Sequence, residues 1–321
     1  MNILRSLTKD NSVPNILCSP THEGNEFCTA KTGFNYYAMQ YEGSKPWREI
    51  FRPIPSNYHI LNHIPPELDI DVVLSQTKFG QFQRLSVIAQ QQQLPLISLE
   101  HTLCQPAWGF SIREQVKNMR GDLNVFISEY SVKDWGFSLD DPAVRVIKHG
   151  MDVDLFKPDI NVDKKRQIIS VVNDLVNRNY CCGWDIFRET VDGLPIKLVG
   201  DNPGLSEPSK SVDDLINSYR ESSVFFNSSV MSPIPTVILE AMSVGLPIVS
   251  TSNCMIPEVV VHGETGFLSN DPKELRKYLE LLLSDEKLAA TMGENSRRRI
   301  VEHYNQDQFV TNWKNLIRSV L

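Results

Sequence analysis

The sequence predicts an α/β protein of two domains, each a parallel sheet covered by helices, and three observations carry that expectation. The chain has 321 residues, too long for one small core when domains run ~100–200 residues. Short apolar runs alternate with helical stretches through both halves, as buried parallel strands and their crossover helices do. A polar, charged segment at residues 157–165 separates the two series and reads as a linker.

In chain order, the first half offers strands at 15–18, 70–75, 94–99, 124–128 and 145–148, with helices at 79–91 and 111–119. The second half offers strands at 167–172, 196–199, 224–227, 247–250 and 266–268. Helices alternate with them at 184–191, 212–220, 235–244 and 272–283, and residues 286–321 read as helical with a break near 304–308. In open α/β sheets ligands bind outside the carboxyl ends of the strands, so chemistry is expected in the loops that follow them. Two nucleotide signatures are missing: no Gly-x-Gly-x-x-Gly follows a strand, and no Gly-rich loop ends in Gly-Lys-Ser/Thr. Neither a dehydrogenase nor an NTPase is favoured.

Composition excludes further classes. The net charge of -7 argues against nucleic acid as a partner, since phosphate recognition needs clustered Lys and Arg. One basic run, Arg297-Arg298-Arg299, reads as a solvated helix face. The six cysteines show no metal-ligand spacing, and Cys181 and Cys182 are adjacent. Residues 1–15 lack the apolar core of a signal peptide, and no apolar run reaches the ~18 residues of a membrane span. A reduced, cytoplasmic setting is the expectation, with peripheral membrane contact left open; the sequon at Asn227 then reads as accidental.

Residues 223–251 are the most informative. A buried strand (Val224, Phe225, Phe226) leads into a turn rich in Ser and Pro and then into a helix. Pro235 suits the first helical turn, where its missing N–H costs nothing. Backbone N–H groups over Ile234, Pro235, Thr236 and Val237, helped by the helix dipole, form a cradle for a diphosphate. Glu240, one to two turns in, is placed to accept hydrogen bonds from ribose hydroxyls. Gly245 ends the helix and Pro247 opens the next strand.

The run Glu240-Ala241-Met242-Ser243-Val244-Gly245-Leu246-Pro247-Ile248-Val249 resembles half of the hallmark of glycosyltransferase family 4. That hallmark is a Glu, seven residues, a second Glu, then Ala-Met-x-x-Gly-x-Pro-hydrophobic-Val. Pro257-Glu258-Val259-Val260 and Gly263-Glu264-Thr265-Gly266-Phe267-Leu268 are similar to the turn and strand that follow it in the family. Upstream, His149-Gly150-Met151-Asp152-Val153-Asp154-Leu155-Phe156-Lys157-Pro158 resembles the interdomain Asn-Gly-Val-Asp-x-x-x-Phe-x-Pro signature. The resemblance implies a GT-B fold: Rossmann-like domains at 1–150 and 151–303 facing an interdomain cleft. A final helix, 304–321, would return to the first domain, and its Phe309, Val310, Trp313, Leu316 and Ile317 make an amphipathic face suited to that.

By that resemblance the activity is transfer of a sugar from a nucleoside-diphosphate donor to a hydroxyl acceptor, with retention at the anomeric carbon. Glu240 would hold the ribose and His101, at a strand's carboxyl end, the sugar. The family's first Glu falls at Ser232, which offers only a neutral hydroxyl beside the donor sugar. Family members use an Arg and a Lys after the first strand of the second domain; here Arg178 is the one cation between residues 171 and 184, and the Lys position is Cys182. Arg178 is therefore the expected diphosphate clamp, with Asn173 and Asp174 at the strand mouth beside it. Base recognition is expected around Asp201–Asn202 and Lys210–Ser211. Ser128 and Glu129 are secondary cleft residues, and the loops 21–25 and 31–35 are where an acceptor (glycan, lipid or small molecule) would enter. Asp69-Ile70-Asp71 and Asp152-Val153-Asp154 mimic a metal signature of another fold, and no metal or cofactor is expected. Two alternatives stay open: a non-catalytic GT-B-like binding protein, and a nucleotide-sugar epimerase.

Overall fold

The computed structural model describes residues 13–321, apart from Glu42, Lys45, Ile50, Phe51 and Pro106. Most of the N-terminal stretch read for a targeting signal lies outside the described residues. The chain divides into two compact units, Met1–Lys148 with Asp307–Leu321, and His149–Gln306.

Unit 1 is built on seven parallel strands: β1 (Asn15–Cys18), β2 (Asn35–Met39), β3 (Tyr58–Leu61), β4 (Val72–Gln76), β5 (Leu96–Glu100), β6 (Leu123–Phe126) and β7 (Val144–Val146). Their order is β3-β2-β1-β4-β5-β6-β7, with Leu17 opposite Tyr37 on one side and Val73 on the other. The order reverses between β1 and β4. Helices α1 (Glu23–Ala30), α2 (Gln81–Gln92), α3 (Phe110–Lys117) and α4 (Glu129–Asp134) connect the strands. A core of Leu17, Val73, Phe82, Leu85, Phe126 and Trp135 fills one side, each fully buried aliphatic side chain contributing about 1.5–3 kcal/mol.

Two strands and two helices here escaped the sequence pattern. β2 and β3 lie where the sequence pattern offered no strand, and residues 21–25, expected as an acceptor loop, form the cap and first turn of α1. The α1 sequence is poor in helix formers, but its start is well capped. His22 Nδ1 accepts from the Asn25 N–H at 3.3 Å, while Glu26 Oε1 accepts from the N–H groups of Thr21 and His22 at 2.6 and 2.9 Å.

Unit 2 holds β8 (Ile168–Val171), β9 (Ile196–Val199), β10 (Val224–Asn227), β11 (Ile248–Ser250) and β12 (Gly266–Leu268), all parallel, in the order β12-β11-β10-β8-β9. Its helices are α5 (Asn179–Cys182), α6 (Trp184–Val191), α7 (Val212–Arg220), α8 (Thr236–Ser243), α9 (Ile256–Val259), α10 (Pro272–Ser284) and α11 (Glu286–His303). The last helix, α12 (Gln306–Arg318), buries Phe309, Trp313, Leu316 and Ile317, and Arg318 lies 5.8 Å over the Phe34 ring within unit 1.

The basic run of α11 is a solvated face only at Arg298, which is exposed, while its two neighbours are half-buried. Arg297 Nη1 donates to Phe156 O and Ser243 O, both at 2.8 Å, and Arg299 donates to Val259 O and Glu258 O at 2.7 and 2.9 Å. Three of these four carbonyls, those of Ser243, Glu258 and Val259, close the C-terminal ends of α8 and α9, which favour a cation by dipole as well. Among the described residues no helix is long and apolar enough to cross a membrane.

Candidate functional site

The order of the unit 2 sheet reverses between β8 and β10, and the loops leaving those strands, residues 172–178 and 228–235, flank the crevice where a ligand is expected. Their positions are fixed by α5. The Cys181 carbonyl accepts from the N–H groups of Val230 and Met231 at 2.8 and 3.2 Å, and Ser228 Oγ donates to the Cys182 carbonyl at 2.8 Å. Gly183 closes α5 at φ 72°, and a Cβ there would sit 2.0 Å from the Ser228 carbonyl oxygen. From the other side, Thr251 Oγ1 donates to Ser229 O. Residues 228–231 are thus clamped, and residues 232–235 lead from them into α8.

Pro235 is the N-cap of α8, so the helix begins one residue later than the sequence pattern suggested. Having no N–H, Pro235 contributes only its carbonyl, which closes on the Ile238 N–H at 2.9 Å. The donors of the expected cradle are therefore Ile234, Thr236 and Val237. The last two occupy the first helical positions, which have no intrahelical acceptor, and no side chain caps them. Ile234 is buried, while Ser232, Thr236 and Val237 are half-buried.

Glu240 lies one turn further along α8. Its Oε2 accepts from the hydroxyl of Tyr219, in α7, at 2.9 Å. Tyr219 is fully buried, and burial first, then the charge of Glu240, raises its phenol well above the ordinary value, so it stays protonated and donating.

Arg178 is exposed at the N-terminus of α5; its N–H donates to Asp174 O at 3.0 Å and its Nη2 lies 3.6 Å from Cys181 Sγ. Asp174 holds a left-handed φ of 54°, a costly conformation for a residue with a Cβ. Cys182, at the expected Lys position, points into the apolar core, where burial pushes its thiol up to about 12. Its thiol carries no charge to oppose a phosphate.

Several expected contacts are engaged elsewhere. The Asn173 amide oxygen accepts from the Asp201 N–H at 2.8 Å, so this side chain ties two loops together. Asn202, expected near the base, is buried and links Val172 O to the Leu175 N–H, each at 2.8 Å. Ser211 caps α7 by accepting from the Asp214 N–H at 3.1 Å, and Lys210 N–H donates to Asp214 Oδ2 at 2.9 Å. Ser128, expected in a cleft, is buried and caps α4 through the Ser131 N–H at 3.0 Å, with Glu129 opening that helix.

His101 follows β5 in unit 1, half-buried, with its ring centroid 6.0 Å from that of His22. The loop it opens is anchored by Glu100, which is 1% exposed. Glu100 Oε1 accepts from the Thr102 N–H and hydroxyl at 2.9 and 2.6 Å, Oε2 accepts from Thr77, and Arg120 lies 3.5 Å away. Burial dominates both charges, pushing the Glu100 carboxyl up and the Arg120 guanidinium down. The Arg120 guanidinium is caged by Phe126, Trp135 and Phe137 at 5.1–5.5 Å. Sequence reasoning missed Glu100 and Tyr219. A buried Tyr does require a partner for its hydroxyl, but nothing in the sequence pairs Tyr219 with Glu240.

Among the described residues no group of three or more His, Cys, Asp or Glu is disposed to hold a metal ion. One member of each acidic pair accepts from main chain: Asp71 Oδ2 from the Asn15 N–H at 2.8 Å and Asp152 Oδ1 from the Leu155 N–H at 3.0 Å. Chemically, the unit 2 site offers open main-chain donors at a helix start, an exposed guanidinium and an oriented carboxylate. That set suits an anion joined to a polyol.

Comparison with known proteins is consistent with this chemistry. A family model described as glycosyl transferases group 1 matches residues 208–299. An uncharacterized glycosyltransferase of Haemophilus influenzae is 29% identical over 153 residues, 42% of this chain and 43% of that protein. The N-acetyl-alpha-D-glucosaminyl L-malate synthase of Bacillus anthracis is 36% identical over 87 residues, 26% of this chain and 23% of that one. The matched stretches thus span less than half of these relatives. Among solved structures, HepE of Anabaena in complex with UDP superposes with a TM-score of 0.78 at 14% identity, covering 96% of this chain and 100% of that one. Sucrose-phosphate synthase of Thermosynechococcus elongatus gives 0.76 at 15% identity, covering 96% and 98%. The fold is that of the GT-B glycosyltransferases: α/β, with parallel sheets.

Proposed function

We propose that the chain transfers a sugar from a nucleoside-diphosphate-sugar to a hydroxyl acceptor, with retention at the anomeric carbon and without a metal ion. One observation carries this reading: the uncapped start of α8 stands at the switch point of the unit 2 sheet, one turn before Glu240. The N–H groups of Ile234, Thr236 and Val237 receive the diphosphate, and the helix dipole adds a partial positive charge. Arg178 neutralises charge that develops on the departing nucleotide. Glu240 accepts hydrogen bonds from the ribose diol, Ser232 faces the donor sugar as a neutral group, and His101 keeps the sugar-side role that the resemblance gives it. HepE has been captured with UDP and with UDP-glucose, which makes uridine nucleotides the first probes.

Calorimetric titration with UDP, GDP and ADP, in the presence of EDTA, tests the reading. At least one is expected to bind, with Arg178→Met weakening it about tenfold, the loss of one charge-assisted contact. Failure of all three to bind, or unchanged affinity in both Arg178→Met and Glu240→Gln, refutes it. A second reading, binding without transfer, is favoured by the neutral Ser232 and the buried Cys182. Release of free nucleotide together with a glycosylated acceptor decides against it.

A further inference from the structure

We infer that Tyr219 is a positioning residue of the nucleotide site, fixing the Glu240 carboxylate for the ribose diol; this rests on the proposed role of Glu240. Tyr219 is the eighth residue of α7, is 0% exposed, and packs its ring against Phe225 with centroids 6.0 Å apart. Its hydroxyl reaches out of the core to Glu240 Oε2 at 2.9 Å. A glutamate on a helix has three rotatable bonds, and each rotamer sends its carboxylate elsewhere. Two adjacent ribose hydroxyls are both donors to one carboxylate, so that carboxylate must be oriented before the nucleotide arrives. The phenol is walled off from solvent and donates to Oε2, holding that oxygen in place. Because its hydroxyl remains protonated far above neutral pH, it never becomes an acceptor that repels Glu240.

Tyr219 itself touches no ligand in this scheme; it acts through Glu240. A merely structural tyrosine would instead support the packing of α7 against β10, and the two roles part on which probe loses affinity. Tyr219→Phe keeps the ring and removes one oxygen. Wild type, Tyr219→Phe, Glu240→Gln and the double variant are each titrated with UDP, GDP and ADP, with the 2′-deoxy form of the nucleotide that binds, and with inorganic pyrophosphate. In Tyr219→Phe, affinity for the ribonucleotide is expected to fall about tenfold, equivalent to 1.4 kcal/mol, and the preference over the 2′-deoxy form to narrow. Pyrophosphate affinity is expected to stay unchanged, and the double variant to bind no more weakly than Glu240→Gln.

If Glu240→Gln weakens the ribonucleotide and Tyr219→Phe does not, Tyr219 does no positioning. A Tyr219→Phe chain that loses pyrophosphate and nucleotide alike shows a structural role and overturns the inference. If Glu240→Gln leaves nucleotide affinity unchanged, or no nucleotide binds the wild type, the underlying reading fails and takes this inference with it.

Discussion

Substituting Gly183 tests whether the site is built by the close approach of α5 to the loop after β10. Gly183→Ala carries two penalties. The first is conformational: φ 72° is left-handed, which costs an L-residue about 1–2 kcal/mol, offset by about 0.4–1 kcal/mol from a stiffer unfolded chain. The second is steric: the new methyl would stand 2.0 Å from Ser228 O, and forcing extra volume into a packed place costs about 1–3 kcal/mol. Gly204→Ala separates them, since Gly204 has φ 79° with nothing within 4 Å of the added carbon. The control should lose about 1 kcal/mol and Gly183→Ala about 2–4 kcal/mol. At roughly 2–4 °C per kcal/mol for a unit of this size, the melting point should fall about 2–4 °C in the control and about 4–16 °C in Gly183→Ala. Differential scanning calorimetry reads the shifts. Nucleotide affinity, measured well below melting, should fall only in Gly183→Ala, because Ser228 cannot retreat without carrying Val230 and Met231 with it. Equal melting points in the two variants would refute the steric argument.

Two predictions concern unit 1. Burial, then Lys78, lowers His22 from its ordinary 6.5, so the unfolded chain takes up its proton first as pH falls. The stability this residue allows is complete above 6.5 and declines as pH drops below that value. His22→Asn keeps a capping oxygen and removes the titration, so the gap in melting temperature between neutral and mildly acid buffer should narrow; an unchanged gap assigns the pH dependence elsewhere. Glu100→Gln keeps an acceptor for Thr77 and Thr102 but strands the buried guanidinium of Arg120, 3.5 Å away, at a cost of about 3–5 kcal/mol. Urea unfolding should show that loss, partly recovered in Glu100→Gln/Arg120→Met. No recovery would mean that the acceptor geometry, not the charge, holds the loop.

Unit 2 was the more legible half because its buried strands are short apolar runs bounded by turn residues, such as Val224-Phe225-Phe226-Asn227 and Ile248-Val249-Ser250. Parallel strands covered on both faces need no alternation, and a run between turn signals marks them well. In unit 1 the same rule found β1 and β4 but not β2, whose Asn35-Tyr36-Tyr37-Ala38-Met39 alternates half-buried and buried positions after a stretch rich in Thr and Gly. The edge strand β3, with His59 exposed, carries even less signal. Without these two strands the reversal between β1 and β4 could not be drawn. The start of α1 was hidden for a different reason: its order comes from Glu26 reaching back to the N–H groups of Thr21 and His22 and from His22 reaching forward to that of Asn25, which local propensity does not register.

The site divides along the same physical line. What depends on main chain was readable to within a residue, because a Ser/Pro turn before Glu-Ala-Met marks where a helix begins, although Pro235 proved to be its N-cap. What depends on side-chain partnership was not. Asn173, Asn202, Ser128 and Ser211 all stand at strand or helix ends, where sequence reasoning seeks ligand contacts, yet each is engaged in capping or in joining loops. Polar residues at such places have backbone donors and acceptors within reach, and satisfying those takes precedence in a protein interior. Cys182 makes the converse point: its side chain lies in the core, so the missing cation is not restored by any rearrangement of that residue. In the proposed reading, phosphate binding therefore rests on main-chain donors and one exposed arginine. In the same reading a loosely held carboxylate would add little to so lean a site, and the Tyr219–Glu240 hydrogen bond would bear more of the recognition than one contact suggests.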